Sequence, residues 1–159
     1  MGAGTIFNVV LAAAEILKDK YKVDADIWSL TSINELVREG QDVDRWNMLH
    51  PTKKAKTAYI TQQLGDTSEP IVVATDYMKA YAEQMRKYVS QPFYVLGTDG
   101  FGRSDSREAL RHFFEVDRYF LTISALKALA DQGKIKPAVV EKAIKDFGID
   151  AEKPNPLYQ

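Results

Sequence analysis

G-T-D-G-F-G-R-S-D-S-R-E-A-L-R, Gly97 to Arg111, follows the short apolar run Phe93 to Leu96 and leads into Leu110, Phe113 and Phe114 at helical spacing. An apolar run, a glycine-rich polar turn and then a helical period mark the crossing from a strand into a helix. Asp105 followed by Glu108 has the spacing of a capping box, which predicts a helix N-terminus just beyond Arg103. Such a turn can cradle an anion on the unpaired amides of the helix, or it can be a rigid connector whose polar side chains satisfy one another. The lack of a phosphate-loop lysine signature favours the connector. The candidate loop for an anion or a partner is therefore Asp99, Gly100, Phe101, Gly102, Arg103, Ser104, Asp105, Ser106 and Arg107, with the amides of Ser104 to Ser106 as the seat of any anion.

Working outward, Ile71-Val72-Val73-Ala74 reads as a buried strand, followed by a helix that carries Met78, Tyr81, Ala82, Met85, Tyr88 and Val89 on one face and takes Thr75 or Asp76 as its cap. Asp26 to Thr31 reads as a third strand. Ser32 with Glu35 caps a short helix that Gly40 ends, and a further turn or two of helix from Asp42 closes at His50-Pro51. Ala58 to Leu64 is a brief helix stopped by Gly65. Asp117 caps an apolar helix running to Gly133, and Pro137 and Gly148 bracket the last helix. At the start, Thr5 caps a helix whose face is Ile6, Val9, Val10, Ala13 and Leu17, with no strand before it. The Gly2-x-Gly4 there is not a dinucleotide fingerprint, because Phe7 stands where the third glycine belongs. Strands that each feed a capped helix through a short turn predict a parallel sheet covered by helices.

Composition narrows the function. With 159 residues, 45% hydrophobic, the chain suffices for one domain, residues 1–159. A net charge of -1 with scattered Lys and Arg offers no basic stripe for nucleic acid. There is no cysteine, hence no disulfide and no thiolate chemistry, and no apolar run approaches the length of a membrane span. His50, at a helix end, and His112, beside Phe113, read as hydrogen-bonding and packing residues rather than bases. The Tyr77, Tyr81, Tyr88, Met78 and Met85 stripe reads as core, and Arg103, Arg107 and Arg111 either pair locally with Asp99, Asp105 and Glu108 or meet an anion or a partner's carboxylates.

The runs Gly40 to Pro51, Ala74 to Lys79, Gly97 to Arg107 and His112 to Asp117, with the closing Asp150 to Pro156, closely resemble the C-terminal region of the homodimeric bacterial pyruvate dehydrogenases. These are the thiamine-diphosphate-dependent first components of the pyruvate dehydrogenase complex. The resemblance implies a transketolase C-terminal-like domain: an α/β fold, a three-layer α/β/α sandwich on a mostly parallel, five-stranded sheet, here with its leading strands missing. It implies that thiamine diphosphate and magnesium belong to preceding domains, and that the partners are those domains, a second subunit and the dihydrolipoyl acyltransferase core, in the cytoplasm. It carries no catalytic, cofactor or metal residue into this segment, where Thr98-Asp99-Gly100 lacks the leading glycine and distal asparagine of the cofactor motif. Lost leading strands would leave an open sheet edge and favour self-association. Apart from the resemblance, a small α/β ligand-binding or regulatory domain using the Gly97 to Arg107 turn is the other reading.

Overall fold

The computed structural model describes residues 1–159. Its four parallel strands are β1 (Gly2–Ala3), β2 (Ser29–Leu30), β3 (Ile71–Thr75) and β4 (Phe93–Leu96), in the order β2-β1-β3-β4. Helix α1 (Phe7–Tyr21) carries the chain from β1 to β2. The return passes through α2 (Ile33–Leu49) and α3 (Tyr59–Leu64) to β3, and α4 (Lys79–Glu83) with the 3-10 turn Gln84–Tyr88 leads on to β4. Because the direction of travel reverses after β2, right-handed crossovers put α1 on one face and α2, α3 and α4 on the other. The two cores agree. Leu30, Ile33, Val37, Val73, Met85 and Tyr88 pack together on one side, and Ile6, Val10, Ala13, Ala74, Phe114 and Leu121 on the other. Beyond β4 lie α5 (Arg107–Phe113), α6 (Arg118–Asp131) and α7 (Pro137–Asp146), with α6 against α1 and α7 against α6 around Leu17, Leu126, Val140 and Ala143.

The three-layer α/β/α reading holds, with four strands described rather than five. The expectation that no strand precedes the first turn is corrected: Gly2 and Ala3 pair with both β2 and β3, so β1 is central and not an open edge. Two residues carry no alternation by which a strand could be read. Thr5 is not a cap either; residues Gly4–Ile6 form a 3-10 turn and the Thr5 hydroxyl donates to Asp76 Oδ2 at 3.0 Å.

Ser32 caps α2 as expected, accepting from the Glu35 amide at 3.3 Å, but α2 continues through Gly40 to Leu49 as one helix. Gly40 is there for packing, since a Cβ would lie 2.6 Å from the Tyr88 ring. That ring is buried, and its hydroxyl donates to Asp44 at 2.8 Å while Lys87 holds the same carboxylate oxygen. Burial first, and Asp44 second, push the Tyr88 hydroxyl up to about 12. Gly40→Ala gains about 1 kcal/mol in helix propensity and loses about 1–3 kcal/mol to overpacking. A fall in the denaturation midpoint is expected, and Tyr88→Phe with Gly40 intact leaves the packing term unchanged.

Candidate functional site

The carboxyl ends of β1, β3 and β4 meet where the sheet order reverses, the place at which open α/β sheets commonly bind ligands. Here the crevice is filled by the protein's own polar groups. Thr5 donates to Asp76, the Thr75 hydroxyl accepts from the Tyr77 amide at 3.1 Å, and the Thr98 hydroxyl donates to the Asp76 carbonyl at 3.1 Å. Neither Thr75 nor Asp76 caps α4. Instead Asp99, reaching from the loop after β4, accepts from the Lys79 amide at 2.9 Å and stands 3.9 Å from the Lys79 ammonium. The Thr98 amide donates to the Tyr77 carbonyl at 2.8 Å, so the two loops are stitched backbone to backbone. That approach requires glycine at 97, because a Cβ there would lie 2.7 Å from the Tyr77 carbonyl oxygen and 2.9 Å from the Lys79 nitrogen.

The predicted cap of α5 is displaced by one residue. Ser106 is the cap, its hydroxyl accepting from the Ala109 amide at 3.2 Å, while the Asp105 carboxylate folds back onto the Ser106 amide at 2.6 Å. Asp105 and Ser106 thus occupy amides at the start of a helix of only seven residues, and leave its first turn with its own acceptors. Ser106→Ala should cost about 1 kcal/mol and Asp105→Ala less, measured as denaturation midpoints. The opposite order would restore Asp105 as the cap.

Among the arginines, the pairing with Asp99, Asp105 and Glu108 does not form. Arg103 lies over the Phe113 ring at 4.2 Å, beside a cavity of about 280 Å³ between the loop and α5, and Arg107 and Arg111 make no ion pair. Gly100, at φ +91°, takes a left-handed conformation, and a Cβ on it would sit 3.0 Å from the Pro156 carbonyl. The C-terminal tail therefore turns back against the loop through the 3-10 turn Pro156–Tyr158, and Lys153 anchors it by donating to the Phe113 carbonyl at 2.6 Å. Phe101 and Tyr158 are each 83% exposed, and Tyr77, Met78 and Leu157 are also exposed. The tyrosine and methionine stripe thus divides: Met85 and Tyr88 are core, Tyr77 and Met78 are not.

The histidines do structural work. His50 Nδ1 meets the Trp46 carbonyl at 2.8 Å and its ring stacks on Trp46. His112 Nδ1 meets Asp117 Oδ2 at 2.9 Å, while Asp117 Oδ1 accepts from the Tyr119 and Phe120 amides to cap α6. His112 is exposed and fixes the cap.

Residues 1–117 match a family model described as transketolase-like TK C-terminal domain. The chain belongs to that family. The transketolase-like match ends at the cap of α6, so α6, α7 and the tail lie beyond it. Similarity to individual relatives continues to the end. The chain is 54% identical to the pyruvate dehydrogenase E1 component of Pseudomonas aeruginosa over 158 residues, 99% of this chain and 18% of that protein. It is 54% identical to that of Escherichia coli K12 over 157 residues, 98% of the chain, and 52% identical to that of Cupriavidus necator over 157 residues, 99% of the chain. The chain spans 18% of the length of these relatives.

A transketolase-like enzyme implies thiamine diphosphate and a divalent metal, which sets a fit test for the residues gathered here. They do not fit. No three His, Asp or Glu side chains converge anywhere in the structure, Asp76 accepts the Thr5 hydroxyl, and Asp99 serves the Lys79 amide. No helix is long and apolar enough to cross a membrane.

Proposed function

We propose that the 159 residues form one domain, the C-terminal structural and interaction domain of a pyruvate dehydrogenase E1 component. That enzyme decarboxylates pyruvate with thiamine diphosphate and passes the acetyl group to the lipoyl group of the acyltransferase. The similarity of about half of all residues over nearly the whole chain to proteins of that name carries the reading. Cofactor, magnesium and the activating carboxylate belong to the preceding domains. This domain assembles with those domains and a second subunit, and contributes to docking on the acyltransferase core, in the cytoplasm and without nucleic acid.

The loop Asp99 to Arg107 is the partner surface. Its polar side chains Asp99, Asp105 and Ser106 are committed to the Lys79, Ser106 and Ala109 amides, whereas Phe101, Arg107 and the adjoining Tyr77 and Tyr158 are exposed with no such partner. Internally satisfied caps with an apolar and cationic rim suit a protein partner better than a small anion, which disfavours the ligand-binding alternative. A chimera tests the assignment: the matching C-terminal region of the Pseudomonas aeruginosa relative is replaced by this chain. Retained pyruvate decarboxylation and dimerisation are expected, with Phe101→Asp in the chimera weakening assembly. A chimera that folds with native helical content but neither dimerises nor turns over pyruvate would refute the assignment.

A further inference from the structure

Four cations lie together in a stretch of chain that holds no acid. From Arg45 to Gly65 there is no Asp or Glu, while Arg45, Lys53, Lys54 and Lys56 all fall there, in a chain of net charge -1. None of the four takes part in an ion pair, whereas Lys87, Lys127, Lys142 and Lys145 each hold a carboxylate. The nearest acids are used elsewhere or stand apart. Glu39 accepts from the Tyr59 amide at 2.9 Å, Asp44 is held by Lys87 and the Tyr88 hydroxyl, and Asp42, one turn before Arg45, pairs with none of them.

The patch is ordered without being buried. Residues Met48 to Thr57 are all exposed, so burial does little to hold the turn after α2. Contacts within residues 46–56 hold it instead. The Asn47 side chain grips Lys56 twice, its amide donating to the Lys56 carbonyl at 2.9 Å and its oxygen accepting from the Lys56 amide at 2.8 Å. Trp46 carries the His50 ring, stacked at 4.3 Å, and the Lys56 ammonium, 4.3 Å from its centroid. The Lys53 amide donates to the His50 carbonyl at 3.0 Å and closes the turn through Pro51 and Thr52. Lys56 is thus used by the fold, and Arg45, Lys53 and Lys54 are not. Met48 and Leu49, 71% and 52% exposed, stand three and four positions after Arg45, on the same side of the helix.

We propose that the end of α2 and the turn after it dock an acidic segment of a partner protein, two or three carboxylates set beside one apolar side chain. The carboxylates meet Arg45, Lys53 and Lys54, and the apolar side chain lies on Met48 and Leu49, where the flexible thioether adapts to its shape. A turn already held in place loses little entropy on binding, which gives the Asn47 grip and the Trp46 stack their use. Three free cations are too few to track a phosphate backbone, and the apolar pair suits a protein segment. Asp44 ties this part of α2 to Lys87 and Tyr88, ahead of β4, whereas the loop Asp99 to Arg107 follows β4, so the two surfaces are distinct.

The test is titration of the intact 159-residue chain with acetyl-Asp-Glu-Leu-Asp-Asp-amide, followed by amide and indole resonances. Saturable shifts are expected at Trp46, Met48 and Lys53 to Lys56. Lys53→Glu combined with Lys54→Glu, at two exposed side chains, should weaken binding about tenfold. The uncharged peptide acetyl-Asn-Gln-Leu-Asn-Asn-amide, and about 1 M salt, which screens exposed charges beyond about 3 Å, should each weaken it by a similar factor. Four results would overturn the proposal: no saturable shifts up to about 10 mM, shifts centred on Arg103 to Arg111, equal binding by the uncharged peptide or the double variant, or stronger binding to phosphatidylserine vesicles than to the peptide.

Discussion

Gly97→Val is expected to lower the stability of the chain by about 3 kcal/mol, from overpacking against backbone and the loss of the hydrogen bonds that the clash breaks. The added atoms collide with the Tyr77 carbonyl oxygen and the Lys79 nitrogen, and neither can swing away as a side-chain tip could. Relief requires separating the loop after β3 from the loop after β4. That breaks the bond from the Thr98 amide to Tyr77 and removes the Asp99 cap from α4. With a slope of about 2 kcal/mol/M, the urea midpoint should fall by about 1.5 M. Gly102→Val, five residues on in the same loop, meets nothing within 4 Å and should change the midpoint little. Equal effects at the two positions would remove the stitched loops from the account.

Stability of the 159-residue chain should rise between pH 6 and pH 8 because of one group. Burial lowers the Met1 amine from 8.0 to about 6. Through that window the unfolded chain holds a proton that the folded chain has released, so raising the pH favours the folded state. The contribution is fully present above pH 8 and is lost as the pH falls toward 6, by about 2–3 kcal/mol in all. Acetylating the amine removes the charge and should flatten the profile between these limits. Urea midpoints at pH 6 and 8 for the free and acetylated chains are the measurement. Identical slopes with pH would show that the amine is hydrated in the folded chain.

What the sequence disclosed of this fold was local. β3 was legible because four consecutive apolar residues have few other uses, and the Ser32 and Asp117 caps were legible because each residue bonds amides two or three positions on. Pro137 and Gly148 bracketed α7 by their own backbone preferences, with Gly148 at φ +65°. The failures share one cause, a distant partner. Gly40 looked like a helix end because its reason, the Tyr88 ring, lies in another helix segment. Thr5 looked like a cap because Asp76 is 71 positions away. Asp99 looked like a loop charge, whereas it caps a helix that starts 20 residues earlier. Arg103 found an aromatic face rather than the carboxylates that proximity in sequence suggested. The candidate loop was thus recognised as a crossing by its glycines, but the bond from Asp99 to the Lys79 amide and the tail packed against Gly100 required three-dimensional contacts.

The central claim is that this is an assembly domain whose parent enzyme carries its cofactor elsewhere. Calorimetric titration of the isolated chain with thiamine diphosphate and magnesium tests it most directly. No saturable heat is expected up to millimolar cofactor, because Asp76 and Asp99 are committed to Thr5 and Lys79 and no cluster of metal-ligating side chains exists to hold the diphosphate's cation. Saturable binding at micromolar concentration would contradict it.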